Sequence, residues 1–175
     1  MTAPMTPRVR RFVLAVHVAS SVGLLGAIAA FLVLAIVGLL GDAATAQAAY
    51  PSMKLIAWFV VLPLAIASLG IGLIESVGTT WGLYRHYWVV AKLVITAGAV
   101  VVFLLQLGVI DYMAAVASGG GPIGDGLLDA RLALVAHGAG GLLLLIVPVA
   151  LSIYKPQGTT KYWRSRQRGQ SAEPS

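Results

Sequence analysis

Four apolar stretches dominate the chain and leave it few options. They run from about Phe12 to Leu40, Leu55 to Val77, Trp88 to Ile110 and Leu132 to Tyr154. Each reaches the roughly 20 residues that a helix needs to cross a ~30 Å hydrocarbon core. In lipid every backbone polar group must find a partner inside its own segment or a closed barrel, so runs of this length predict helices. The expected fold is all-α, an integral-membrane four-helix transmembrane bundle. Residues 1–154 form one domain, and 155–175 form a basic cytoplasmic tail with a disordered end. The run after "RVRRF" is too long for the apolar core of a signal peptide, and it reads as the first span.

Composition agrees. Of 175 residues, 59% are hydrophobic and 10% charged, too few charges for a water-facing surface on a domain of this size. With no cysteine in the chain, disulfides, thiolate metal sites, iron–sulfur clusters and C-x-x-C-H haem attachment are excluded. The net charge of +6 would suit a nucleic-acid partner only if it were spread over one surface, and it is not. Arg8, Arg10 and Arg11 precede the first span, Arg85 lies between the second and third, and Lys155, Lys161, Arg164, Arg166 and Arg168 follow the fourth. The opposite loops hold Lys54 and Arg131 beside Asp42, Asp111, Asp125 and Asp129. The positive-inside rule then places both termini in the cytoplasm, with no role for nucleic acid. Trp81, Tyr84, Tyr87 and Trp88 on one side, and Tyr50 and Trp58 on the other, are expected in the interfacial belts. Lys155-Pro156 ends the last helix. The "GGGPIG" segment, Gly119 to Gly124, matches the glycine pattern of dinucleotide sites. It lies between two membrane helices rather than between a strand and a helix, so it is read as a connection.

Polar residues inside the spans are the candidates for function. At 100° per residue, Thr96, Ala99, Phe103 and Gln106 fall within about 40° of Lys92, which makes one intramembrane polar stripe that must face protein. His17 shares a face with Ser20 and Ser21, Glu75 with Ser68, and His137 with Gly141, Pro148 and Ser152. Small residues at Ala19, Gly23, Ala27, Gly138 and Gly141 are expected to let helices approach closely. A rise of 1.5 Å per residue sorts the polar groups by depth. His17, Glu75 and Lys92 fall in a cytoplasmic layer, with Glu75 as the charge partner of Lys92. His137 and Gln106 fall in an outer-leaflet layer. His17 and His137 are about 15 Å or more apart along the membrane normal, too far to ligate one haem iron from opposite faces. His17 is either a hydrogen-bonded structural residue or a ligand to haem or a proton relay. His137 is expected to pack closely and bond to a neighbouring helix. No metal site is expected.

The segments "GTTWGLYRHYWVVAKLVIT" and "VALSIYKPQGTTKYWR" resemble those of an uncharacterised family of small bacterial four-helix inner-membrane proteins, a resemblance that covers most of the chain and implies location and fold only. "LAVHVAS" and "AKLVIT" are similar to short motifs of HemJ-type protoporphyrinogen oxidases and CopD-like membrane proteins. That similarity implies a b-type haem, with His17 as its ligand and Lys92 as a functional partner. Three classes of function therefore stand. The first is a non-catalytic protein of the bacterial inner membrane, an accessory, sensor or assembly protein whose partners are the bilayer and a second copy or another membrane protein. The second is a haem- or porphyrin-associated redox protein using His17 and Lys92. The third is a small transporter or channel subunit with Lys92, Thr96 and Gln106 along its path.

Overall fold

A computed structural model describes residues 6–78, 87–121 and 123–154. The expectations placed on Trp81, Tyr84, Arg85, Pro122, Lys155, Pro156 and the basic tail lie outside the described residues, as does the Ser152 side chain. Everything regular in the described residues is helical: α1 (Pro7–Leu40), α2 (Ala43–Ile56), a π-helical turn (Ala57–Val61), α3 (Leu62–Gly78), α4 (Tyr87–Ser118), a short 3-10 turn (Asp125–Leu127) and α5 (Leu128–Tyr154). Four continuous helical segments, Pro7–Leu40, Ala43–Ser76, Tyr87–Ser118 and Leu128–Leu151, are long and apolar enough to cross a membrane.

The ends of these helices follow from local chemistry. Pro7 opens α1, where its fixed φ suits the first helical position and its missing N–H costs nothing. Only Gly41 and Asp42 separate α1 from α2. The Asp42 side chain accepts from the Thr45 N–H at 2.8 Å, an N-cap that satisfies one orphan donor of α2. The carbonyls that α1 leaves open are met from another helix, since Arg131 of α5 donates to Leu39 O at 2.6 Å and Gly38 O at 3.2 Å. At the far end of α4, Gly120 adopts φ +67°. Its N–H donates to Ala117 O and that of Gly121 to Val116 O, the paired bonds of a Schellman cap. The glycine run thus terminates a helix.

Span boundaries differ from the sequence expectation. The second span begins at Ala43 rather than Leu55 and α4 continues to Ser118 rather than Ile110, so Lys54, Asp111 and Arg131 belong to helices and not to loops. The reason is visible in their partners. Lys54 Nζ lies 3.2 Å from Asp111 Oδ1, and the Trp58 indole N–H donates to the same oxygen at 3.0 Å. Paired charges cost less to hold near lipid than lone ones. Pro51 sits inside α2, an interruption that the expected boundaries concealed. The π turn, in which the Leu62 N–H reaches Ala57 O, comes directly before Pro63, which has no N–H to continue the ladder.

The four spans pack as an up-and-down ring, α1 against α2–α3, α2–α3 against α4, α4 against α5, and α5 back against α1. The α1–α2 end is dense. Phe31, Ala35, Tyr50, Met53, Ile110, Met113 and Leu134 form its core, and Leu24, Ala27, Val61, Ala65 and Leu145 form a second cluster beneath. Tyr50 is 1% exposed, so it is a core residue and not a belt residue. Gly38 makes room for it, because a Cβ at position 38 would stand 2.9 Å from the Tyr50 Cζ. Gly138 of α5 sits on Leu32, and Gly23 on Leu64, the close approaches that drive packing where lipid supplies no hydrophobic force. Ala19 is exposed and takes no part. At the dense end α4 packs closely along α2, and away from it α4 packs only loosely along α3.

Candidate functional site

The middle of the bundle encloses a cavity of about 180 Å³ between α1, the π turn with α3, α4 and α5. Its walls are mostly aliphatic, with Phe103 as the one large ring beside Phe31. Thr96, Ala99, Phe103 and Gln106 of the α4 stripe all line it, and so does His137 of α5. Lys92, one turn below Thr96, does not: its ammonium lies over the Trp88 ring, 5.1 Å from the centroid, a cation–π contact near the end of the helix. Gly138, Gly140 and Gly141 of α5 line the cavity, and a Cβ on Gly140 would meet nothing within 4 Å. Val102 of α4 and Leu144 of α5 line the cavity and are also exposed on the outside of the bundle. The cavity therefore reaches the lipid-facing surface between those two helices.

Its polar lining has a definite hydrogen-bond order. His137 Nδ1 is 2.6 Å from the Ala133 carbonyl. A carbonyl only accepts, so Nδ1 carries the proton. Nε2 is then the acceptor, and Gln106 Nε2 donates to it across 3.0 Å. Both ring nitrogens are used. The remaining polar atom of the pair, Gln106 Oε1, is buried and has no hydrogen-bond partner among the described residues.

The second group of polar residues lies one layer away, where α1 meets α3. Ser21 and Ser68 share a hydrogen bond of 2.9 Å, and the Ser20 hydroxyl donates to the His17 carbonyl. The half-buried His17 ring rests on Gly72, where a Cβ would approach its Cε1 to 3.2 Å. Glu75 and Lys92 lie within electrostatic range of the imidazole and the Ser68 backbone within hydrogen-bonding reach of it, while its Nδ1 is buried and makes no regular hydrogen bond among the described residues. Neither His17 nor Lys92 lines the central cavity. Among the described residues no three His, Asp or Glu side chains gather as a metal-binding set.

Sequence reasoning missed the Lys54–Asp111–Trp58 cluster, the Arg131 cap and the cavity itself. Lys54 and Asp111 stand 57 positions apart, and only the depth arithmetic applied to Lys92 and Gln106, extended past Ile110, would have paired them. Comparison with family models, with curated proteins and with solved structures finds no match.

Proposed function

We propose that this chain is a non-catalytic protein of the bacterial inner membrane, an accessory or sensor component that responds to a small apolar molecule held in its central cavity. One observation carries this reading. Among the described residues the one imidazole on the cavity wall, His137, has both nitrogens engaged, one by Ala133 O and one by Gln106, so the wall offers shape and apolar contact rather than a base or a nucleophile. A lateral mouth at Val102 and Leu144 suits a ligand that arrives from the lipid phase.

The proposed orientation has both ends in the cytoplasm. Arg8, Arg10 and Arg11 stand at the start of α1, whereas at the opposite end Lys54 is ion-paired and Arg131 is bonded to α1 carbonyls. That sharpens the asymmetry of basic residues on which orientation depends. The chain has no cysteine, so single cysteines at Asp42 and Ser171 test the orientation in spheroplasts with a membrane-impermeant maleimide. Labelling at position 42 but not at 171 is expected, and the reverse pattern overturns the orientation.

The binding role is tested by thermal unfolding of the detergent-purified protein with propylbenzene. A ligand that binds only the folded state raises the midpoint with concentration. The rise is expected in the wild type and absent in Ala99→Leu, which fills the cavity. No rise in the wild type rejects the reading.

His17 Nδ1, which makes no regular hydrogen bond among the described residues and has Glu75 and Lys92 in range, supports a second reading, haem association through that layer. Against it, the imidazole lies on Gly72 and is not among the residues that line the central cavity. An absorption spectrum after expression with haem precursor decides: a Soret band lost in His17→Ala supports haem, and a colourless protein removes it.

A further inference from the structure

We infer that the cavity takes the ring end of a membrane-dissolved molecule, a single apolar ring whose alkyl or prenyl tail leaves between α4 and α5 and stays in the bilayer. The inference rests on the binding role proposed above and deepens it.

Size limits what goes inside. An apolar cavity of roughly 150 Å³ takes up benzene, and this one is about 180 Å³, room for one ring and a short substituent. Phe31 and Phe103 both line it, and aromatic rings pack on one another with a gain beyond the area they bury. A rigid ring loses no rotamers on entry, whereas a flexible chain must be ordered to follow the same path. No charged side chain is among the described residues that line the cavity, so the ring carries no charge.

The open side decides the rest. Val102, Ala136, His137 and Leu144 line the cavity and are exposed as well, so an occupant is not enclosed where α4 and α5 part. Gly140 stands at the same rim, and with nothing within 4 Å of a Cβ there it leaves room for a chain to pass. Val102 is the sixteenth of the 32 residues of α4. With α4 across the bilayer the rim therefore opens near the middle, on the order of 15 Å from either headgroup region. Hydrocarbon alone surrounds a substituent at that depth. The rim asks for no polar group, because His137 has both ring nitrogens engaged and its neighbours there are aliphatic. A substituent that points out is thus apolar, and none of the described residues limits its length. A bare ring would leave the open side to any lipid chain that drifted in, while a tailed ring fills it with its own substituent.

The test is a length series, propylbenzene, hexylbenzene and dodecylbenzene, with n-dodecane as the chain alone. Each is titrated against the full-length protein in detergent with thermal unfolding as the readout, and concentrations are compared as mole fractions in the micelle. We expect the three alkylbenzenes to bind within about twofold of one another, and n-dodecane about tenfold more weakly. Gly140→Leu narrows the rim, and it should weaken dodecylbenzene about tenfold while propylbenzene binds as in the wild type. Loss of binding between propylbenzene and dodecylbenzene in the wild type overturns the tail and leaves the binding role standing. An n-dodecane that binds as tightly as dodecylbenzene overturns the ring and makes the occupant an ordinary lipid chain. Unchanged binding of dodecylbenzene by Gly140→Leu overturns the exit past that residue. Binding of none of the probes, by a wild-type protein that unfolds cooperatively, overturns both the inference and the binding role. Should Gly140→Leu not fold, the wild-type series decides alone.

Discussion

Tyr50 of α2 packs its ring onto Gly38 of α1 so closely that a Cβ at position 38 would come within 2.9 Å of Cζ. Tyr50 is 1% exposed, so the ring cannot swing aside. Gly38→Ala should therefore destabilise the bundle by about 1–3 kcal/mol, the usual cost of overpacking. Tyr50→Phe should do the opposite or nothing, since the hydroxyl is buried without a hydrogen-bond partner among the described residues and its loss removes an unsatisfied group. Melting of the two variants in one detergent checks both signs.

Arg131 closes the C-terminal end of α1 by donating to Gly38 O and Leu39 O. Arg131→Met should leave those carbonyls unpaired at a cost of about 1–3 kcal/mol. Arg131→Lys should recover part of it, because an ammonium reaches one carbonyl more readily than two in the fork geometry of guanidinium. Hydrogen exchange at the last turn of α1 and the first turn of α2 would localise the effect.

Asp111 serves two partners with one oxygen, the Lys54 ammonium and the Trp58 indole. The two ionic side chains are 47% and 38% exposed, so the ion pair itself is worth only about 0.2–1 kcal/mol. Asp111→Asn keeps an acceptor for Trp58 and should cost no more than that. Asp111→Leu loses both contacts and should shift the Trp58 fluorescence as the indole N–H loses its acceptor. Identical spectra for the two variants would contradict the shared-oxygen geometry.

Those charged residues also show what the sequence conceals. Four apolar runs are unmistakable because lipid allows one backbone solution, and 3.6-residue periodicity put Thr96, Ala99, Phe103 and Gln106 on one stripe with Lys92; the first four line one cavity and Lys92 does not. What periodicity does not carry is register between helices. The alanine-rich start of α2 is too polar to stand out as a span, and Lys54 and Asp111 look like loop charges until each supplies the other's counter-ion. Tyr50 looks like an interfacial aromatic until Gly38, twelve residues back, is seen to accept it. Gly138 and Gly141 suggest close packing, and each has an α1 side chain against it, Leu32 and Ile28, whereas Gly140 between them faces open space.

The α1–α2 turn should respond to acid through Asp42. The Thr45 hydroxyl and then the Thr45 backbone N–H hold its carboxyl below the ordinary aspartate value. A depressed folded-state pKa means that the stabilising contribution is complete above the unfolded value and is lost as pH falls through the lower, folded one. Acid sensitivity of the wild type in that window should be reduced in Asp42→Asn, which keeps an N-cap acceptor but does not titrate. Equal acid profiles for the two proteins would show that the cap does not contribute.

The central claim is that the middle of this bundle holds a small apolar ring. The most direct measurement is a crystal structure of the protein soaked with 4-bromophenol, located by the anomalous signal of bromine. The account predicts one strong peak inside the cavity, among Phe103, Gly141 and Leu145. Bromine found only on the outer, lipid-facing surface, with the cavity closed by rearranged side chains, would contradict it.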